Sequence, residues 1–434
     1  MNKIGMIADD LTGANDSGVQ LVKKGLRSSV IFDLHPLAAE QSYLDAIVID
    51  TDSRAVSKTE AYEAVSKASF FLKENGFTHI YKKIDSTLRG NLGAEIEAVT
   101  TVFDPEFCII APAFPRIGRT TKNGMHYLNG IPLSETEISK DPKCPVKESS
   151  LCRLLESQSD QKVGLVRTED LGSDIESWRA ELSNWQQKGV KWLVFDAVLD
   201  EHLENIASCI SSITENVVWV GSAGLAEYLP EKLGMINSVA VKPVMGENEH
   251  ILVVSGSLSS VTRGQISRLL EMDGMIAVEV DPITVFEEEN RWEDFKKSYV
   301  KKMVAAYQEG YNAVLFVDSS AEIRKNTAGA GKRLGLSSSE ISNRISQGLG
   351  EIASEFLKNH SFVSGLVLTG GDTAKDVCRQ IGASGLVLLK EVEPGIPLGK
   401  LAGEHELYAI TKAGAFGTEQ SLVNAVLELK GEKQ

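Results

Sequence analysis

Long apolar runs are missing from this chain of 434 residues. No window holds the roughly 18 uninterrupted apolar residues that a membrane-spanning helix needs, and the first apolar run meets Asp9 and Asp10 too early to serve as a signal peptide. Basic charge is scarce as well. Against 60 Asp and Glu stand 45 Lys and Arg, a formal charge of −15, which excludes a surface built to track nucleic-acid backbones and leaves room only for a local cationic pocket. The five cysteines (Cys108, Cys144, Cys152, Cys209 and Cys378) are scattered without C-x-x-C spacing, and the seven histidines form no H-x-H or H-x-x-x-H pair. Neither a disulfide framework nor a zinc site is expected. The chain reads as a reduced cytoplasmic protein without nucleic-acid or membrane partners; its sequence leaves the oligomeric state open, a homo-oligomer included.

What is present is an ordinary globular composition, 42% hydrophobic and 24% charged, in a chain too long for one core. A short apolar run, a Gly, Ser or Asp turn and a stretch of helical period alternate many times, the pattern of α/β architecture with mostly parallel sheets flanked by helices. The expected strands are Lys3–Ala8, Ser29–Phe32, Ala46–Asp50, His79–Lys83, Phe107–Ala111, Lys162–Val166, Trp192–Asp196 and Val217–Val220. A second series follows at His250–Ser255, Met275–Val280, Asn312–Val317, Gly365–Thr369, Leu386–Glu391 and Leu407–Thr411. Between the series, residues 236–247 read as a linker. This predicts two domains, 1–235 and 248–434.

Ligands of open α/β sheets bind beyond the carboxyl ends of the strands, so the residues after each strand carry the information. In the first half these ends are charged: "ADDLTGAND" with Asp9, Asp10, Asn15 and Asp16, "DTDSRAVS" with Arg54, and "KKIDSTLRGNLG" with Lys82, Lys83, Asp85, Ser86, Thr87 and Arg89. "APAFPRIGRTT" adds Arg116, Arg119 and Thr120. Such a mixture suits a small polyhydroxylated anion, cations taking a carboxylate and Asp or Asn accepting from hydroxyls. Asp16 or Ser17, taken alone, reads as a helix N-cap. Adjacent Asp9 and Asp10 point to opposite faces and cannot both cap, so one is expected to face the cleft.

In the second half the strand ends are small. "VSGSLSSVTRG" places Ser255, Gly256 and Ser257 between strand and helix, "LTGGDTA" does the same with Gly370, Gly371, Asp372 and Thr373, and "TKAGAFG" with Lys412, Gly414 and Gly417. Glycine lets backbone N–H groups approach an anion at a helix N-terminus, so three such turns read as a phosphate-binding face. "AGAGKRLG" at 328–335 lacks P-loop spacing and reads as a helix end. "DDLTG" echoes an aspartate-nucleophile phosphatase, but its two Asp are adjacent where that motif separates them by one residue.

Together "IADDLTGANDSG", "KKIDSTLRGN", "APAFP…GRTT", "SGSLSSVTRGQI", "LTGGDTA" and "KAGAFG" resemble the four-carbon acid sugar kinase family, in the same order and over residues 4 to 425. The resemblance implies a sugar-acid domain, an ATP-binding domain and an active site in the cleft between them, with ATP and Mg²⁺ phosphorylating the C4 hydroxyl of a threonate, erythronate or 3-oxo-tetronate type of acid. By motif, the substrate positions are Asp9, Asp10, Arg54, Lys83, Ile84, Asp85 and Ser86. The nucleotide positions are Ser257, Gly370, Gly371, Asp372, Thr373 and Gly414. Asp10, followed by Asp85 and Asp16, is the expected proton acceptor, and Asp372 the expected contact toward Mg²⁺; metal ligands stay unassigned. Arg116 and Ile117 stand where a small or amide residue is expected, a departure that bears on the choice of acid rather than on the reaction class. A phosphatase with Asp9 or Asp10 as nucleophile, and a non-catalytic nucleotide or sugar-acid sensor, are the rival readings.

Overall fold

The computed structural model describes residues 2–34, 43–141, 143–167, 174–236, 250–403 and 407–432. The expected linker, 236–247, lies outside the described residues apart from Ile236. The chain divides into two compact α/β units, Met1–Ala240 and Val241–Gln434.

The first unit contains β1 (Ile4–Ala8), β2 (Ser28–Ile31), β3 (Ala46–Asp50), β4 (His79–Lys83), β5 (Phe107–Ala111), β6 (Arg119–Lys122), β7 (Met125–Leu128), β8 (Ile131–Pro132), β9 (Val163–Val166), β10 (Trp192–Phe195) and β11 (Val217–Gly221). Eight of these form a parallel sheet in the order β2-β3-β1-β4-β11-β5-β10-β9. β1 to β5 are buried at every position, as a sheet covered by helices on both faces requires, and Ile7, Ile47, Ile80, Ile110 and Val220 pack into one core with the helix Leu92–Phe103. β6 to β8 form a separate antiparallel sheet.

The second unit contains β12 (Ile251–Ser255), β13 (Met275–Val280), β14 (Asn312–Val317), β15 (Gly365–Thr369), β16 (Gly385–Glu393), β17 (Ile396–Ala402) and β18 (Tyr408–Lys412). Within it the order is β13-β14-β12-β15-β18-β17-β16, parallel up to β18 and antiparallel beyond. Its core gathers Val253, Val314, Val367, Ile410 and Leu422.

In both units the strand order reverses beside the first strand. From β1 the chain moves out to β2 and β3, then returns to β4 on the other side of β1; from β12 it moves out to β13 and β14, then returns to β15. Helices diverge at such switch points and leave a crevice at the carboxyl ends.

The expected strands all occur. Four others are additional, and each has a reason for its absence from the hydrophobic pattern. β17 carries Pro397 and Gly399 within its run, both unfavourable in strands. β6, β7 and β8 are short and half polar, so the stretch reads as a loop. Their signal is the paired Asn-Gly turns: Asn123 and Gly124 (φ 51° and 72°) and Asn129 and Gly130 (φ 51° and 80°) all adopt the left-handed conformation of tight hairpin turns. "AGAGKRLG" begins within the C-terminal part of the helix Ala321–Arg333, as its reading requires.

Beneath the first sheet lies a buried ion pair. Lys82 Nζ is 2.7 Å from Glu95, with both side chains out of solvent, and it also donates to the carbonyls of Lys83 (2.8 Å) and Ile7 (3.3 Å). Removing one member of such a pair strands the other. Glu95→Ala is expected to destabilise the protein by about 3–5 kcal/mol in urea unfolding, and Lys82→Met combined with Glu95→Leu to recover most of that loss.

Candidate active site

β1 ends level with both neighbours, Ala8 facing Asp50 of β3 and Lys83 of β4. Asp9, Asp10, the turn bearing Arg54 and the turn bearing Asp85 therefore leave the sheet together at its switch point. Arg54 is the hub. Its Nε and Nη2 donate to the two carboxylate oxygens of Asp9 at 2.7 and 3.1 Å, its Nη1 lies 2.7 Å from Asp10 Oδ2, and its Nη2 lies 3.9 Å from Asp85 Oδ1. Asp85 is held further by Arg89 Nε at 2.7 Å, the Arg89 N–H at 3.3 Å and the Thr87 hydroxyl at 2.5 Å. Leu88 takes a left-handed conformation (φ 60°) that turns Arg89 back toward Asp85, at a cost of roughly 1–2 kcal/mol. Arg89 continues to Asp141 at 3.3 Å.

The three carboxylates are thereby made unequal. Burial would push all three up. For Asp85 the charge of Arg54, followed by the hydrogen bond and charge of Arg89, holds the carboxyl far below the usual range. Arg54 likewise holds Asp9 down. Asp10 is raised, because burial and repulsion by Asp9 outweigh the help of Arg54 and Lys83. It is also the accessible one, with its side chain 26% exposed against 2% for Asp9 and 10% for Asp85.

Asp10 also caps the helix Leu11–Lys23, its Oδ1 accepting from the Gly13 N–H at 2.8 Å. This corrects the capping role read for Asp16 and Ser17, which lie inside that helix because it begins immediately after the strand. Gly13 fixes the approach of the cation next door: a methyl group there would sit 2.7 Å from Lys83 Nζ and 2.8 Å from Asp10 Oδ1. Lys83 Nζ donates to the Ile84 carbonyl at 3.0 Å.

The remaining expected substrate positions, Ile84 and Ser86, are tied into the fold through their main chains. The Ile84 side chain is in the core and its N–H donates to the Gly221 carbonyl at 2.9 Å. The Ser86 carbonyl accepts from His126 Nε2–H at 3.0 Å, while the Thr121 hydroxyl donates to His126 Nδ1 at 2.9 Å. Burial pushes His126 down to about 4, so the ring is neutral at physiological pH and ties the β6–β7 hairpin to the Asp85 turn. Sequence reasoning missed His126; the Asn-Gly turn after β6, whose N–H groups are held by Asp196 at 2.6 and 2.9 Å, was the available signal. Arg116 pairs with Glu227 at 3.1 Å and Asp200 at 3.6 Å.

In the second unit Ser255 faces Thr369, and Thr369 faces Lys412, so three strand ends are again level. The turns beyond them touch. A methyl group at Gly256 would lie 2.2 Å from Thr373 Oγ1, one at Gly414 would lie 2.1 Å from Ser257 Oγ, and one at Gly370 (φ 101°) would lie 3.5 Å from the Ser257 nitrogen. Ser257, Gly370, Thr373 and Gly414 thus form one cradle of glycine backbone and two hydroxyls that leaves no room for a Cβ at Gly256 or Gly414, at the N-termini of the helices Ser260–Leu270 and Gly371–Gln380. That arrangement fits phosphate oxygens. Gly371 and Asp372 open the second helix, and Asp372 is exposed in its first turn. Among the described residues no group of three or more His, Cys, Asp or Glu is placed to hold a metal ion. A cation here would draw its ligands chiefly from phosphate and water, with Asp372 beside them.

Lys412 organises the third turn. Its Nζ donates to the carbonyls of Ala413 (2.8 Å), Phe416 (3.2 Å) and Gly414 (3.3 Å) and reaches Thr262 Oγ1 at 3.4 Å. The Thr262 hydroxyl donates to the Gly414 carbonyl at 2.7 Å, and Gln265 Nε2 to the Thr418 carbonyl at 2.7 Å. These two helix residues were invisible to motif reading. Burial pushes Lys412 down to about 8 from 10.5, with Glu393 opposing. Between those values the unfolded chain holds the proton that the folded one has lost, so this group's contribution to stability rises with pH, whereas the loop loses a donor as the ammonium is neutralised. Affinity for inorganic triphosphate, read by calorimetry, is therefore expected to fall several-fold between pH 7 and 9, and to be low at both pH values in Lys412→Met.

Residues 4–229 match the family model of a sugar-binding N-terminal domain, and residues 252–422 that of a nucleotide-binding C-terminal domain. A D-threonate kinase of Salmonella typhimurium is 34% identical over 98% of this chain and 97% of its own length. A D-erythronate kinase of Heliobacterium modesticaldum is 31% identical over 98% and 97%, and a 3-oxo-tetronate kinase of Haemophilus influenzae is 30% identical over 96% and 97%. A crystal structure of a Salmonella typhimurium LT2 protein, 27% identical, superposes with a TM-score of 0.82 over 99% of this chain and all of that one.

Proposed function

The chain belongs to the four-carbon acid sugar kinase family, and on that premise we propose that it transfers a phosphoryl group from ATP, with Mg²⁺, to the C4 hydroxyl of a four-carbon sugar acid. The observation that carries this reading is the agreement of halves: a carboxylate-rich switch point in the unit matched as sugar-binding, and a cradle of glycine backbone and hydroxyls in the unit matched as nucleotide-binding.

Phosphoryl transfer asks for in-line positioning, charge neutralisation and removal of the hydroxyl proton. MgATP supplies the electrophilic phosphorus; Ser257, Gly370, Gly371, Thr373 and Gly414 would hold its phosphates, and Asp372 would meet the cation or its water. Asp10 would accept the proton of the C4 hydroxyl, since it is the carboxylate with raised basicity and open access, and each of its oxygens keeps a further lone pair beyond the bonds to Gly13 and Arg54. Asp85, kept ionised by Arg54 and Arg89, would accept from hydroxyls of the acid without competing for its proton. Asp9 would serve by fixing Arg54. Lys83, beside Gly13 and close to Asp10, would steady the charge that develops on the attacking oxygen. The phosphatase reading loses support at Asp9, which is buried and bound at both oxygens, and the match of the second unit to a nucleotide-binding domain favours transfer from a nucleotide. We place the reaction in the cytoplasm, where ATP is available and the five cysteines, all free here, stay reduced.

The test is an ADP-release screen with MgATP against D-threonate, D-erythronate and 3-oxo-tetronate, with phosphorus NMR of the product. One of these acids is expected to support turnover and to carry the phosphate at C4; ADP release with none of them would overturn the reading. With the active acid, Asp10→Asn is expected to lower kcat by about 10²–10⁴-fold. Turnover at the wild-type rate would remove Asp10 from the base role.

A further inference from the structure

Beside the acidic cluster one cation is uncommitted. Arg119 opens β6, opposite Leu128 of β7, and its main chain is fixed by exchange of hydrogen bonds with Phe114 at 2.8 and 3.1 Å. The only hydrogen bond of its guanidinium among the described residues runs from Nη1 to the Ile117 carbonyl. Nε is buried and donates to nothing, and among the described residues the guanidinium forms no ion pair. A buried guanidinium donor without an acceptor is costly, and it points to a partner that arrives with a ligand.

Among the described residues, four cations around the acidic cluster are occupied. Arg54 holds Asp9, Asp10 and Asp85, Arg89 holds Asp85 and Asp141, Lys82 is paired with Glu95, and Lys83 donates to the Ile84 carbonyl. Arg119 is close enough to Asp85 and Glu137 to be attracted by both and to Arg89 to be repelled. It also bears on His126, which hydrogen-bonds Ser86. It thus borders the Asp85 side of the site. A four-carbon acid whose C4 hydroxyl sits at Asp10 carries its carboxylate at the far end of the molecule, away from Asp10.

We propose that Arg119 binds the carboxylate of the sugar acid and thereby selects acids over neutral four-carbon polyols. The planar guanidinium offers parallel N–H donors that match two carboxylate oxygens, which an ammonium cannot do. The role rests on the kinase reading for the identity of the ligand.

Calorimetric titration tests it, with D-threonate and the neutral polyol threitol added to the wild-type enzyme, Arg119→Gln and Arg119→Lys. Wild type is expected to prefer threonate. Arg119→Gln is expected to bind threonate about 10- to 100-fold more weakly, the range for a lost charge-assisted hydrogen bond, and its preference over threitol to shrink by the same factor. Arg119→Lys, which keeps the charge without the fork, should fall between the two, and guanidinium added to Arg119→Gln should restore part of the affinity. Threonate binding of wild-type strength in Arg119→Gln overturns the proposal; if that variant does not fold, wild-type strength in Arg119→Lys overturns it instead. The titration needs no turnover, so an enzyme that binds threonate but releases no ADP counts against the kinase reading alone.

Discussion

The guanidinium of Arg54 carries the electrostatic logic of the first unit. Three carboxylates brought this close would repel one another and take up protons if unpaired. One planar cation within 2.7 Å of Asp9 and Asp10 and 3.9 Å of Asp85 keeps two of them ionised and leaves the third, Asp10, with the most basic oxygens. Arg54, itself an expected substrate position, spends its hydrogen bonds on Asp9 and Asp10 and so organises the carboxylates around it. The grip on the acid's charge then falls to a different cation, which is why the unpaired Nε of Arg119 carries weight.

The second unit reaches its ligand-binding form by removing side chains rather than by arranging charges. Gly256, Gly370 and Gly414 each lie where a Cβ would meet or press upon a neighbouring turn, and a buried ammonium gathers the carbonyls of the 413–416 loop. Drawing those oxygens inward onto Lys412 turns carbonyl dipoles away from any anion held by the turn. Both devices sit at the strand-order reversal beside the first strand of their unit, where level strand ends deliver several turns to the same height.

Much of this was legible in the sequence because its causes are local. Strands buried on both faces show as continuous apolar runs, and the turns after them show their Asp, Arg or Gly content directly. Asp9, Asp10, Arg54 and Asp85 converge, as do Ser257, Gly370, Thr373 and Gly414. What stayed hidden depends on distance in the chain. That Arg54 would meet Asp9 across 45 residues, that Thr262 and Gln265 would pin a loop some 150 residues later, and that His126 would bond Ser86 follow from tertiary packing, which no spacing rule encodes. The cap was assigned to Asp16 or Ser17 because helix starts are the least certain part of a periodic pattern. Asp10 takes that role once the helix is seen to follow the strand without a loop.

Inequality among three neighbouring carboxylates is the centre of the account, and it can be measured without a mutation. Carbon-13 NMR of the aspartate-labelled enzyme, titrated toward acid, should show Asp10 taking up its proton above the ordinary value of 3.8, while Asp9 and Asp85 remain ionised well below it. Protonation of Asp85 or Asp9 before Asp10 would contradict the account.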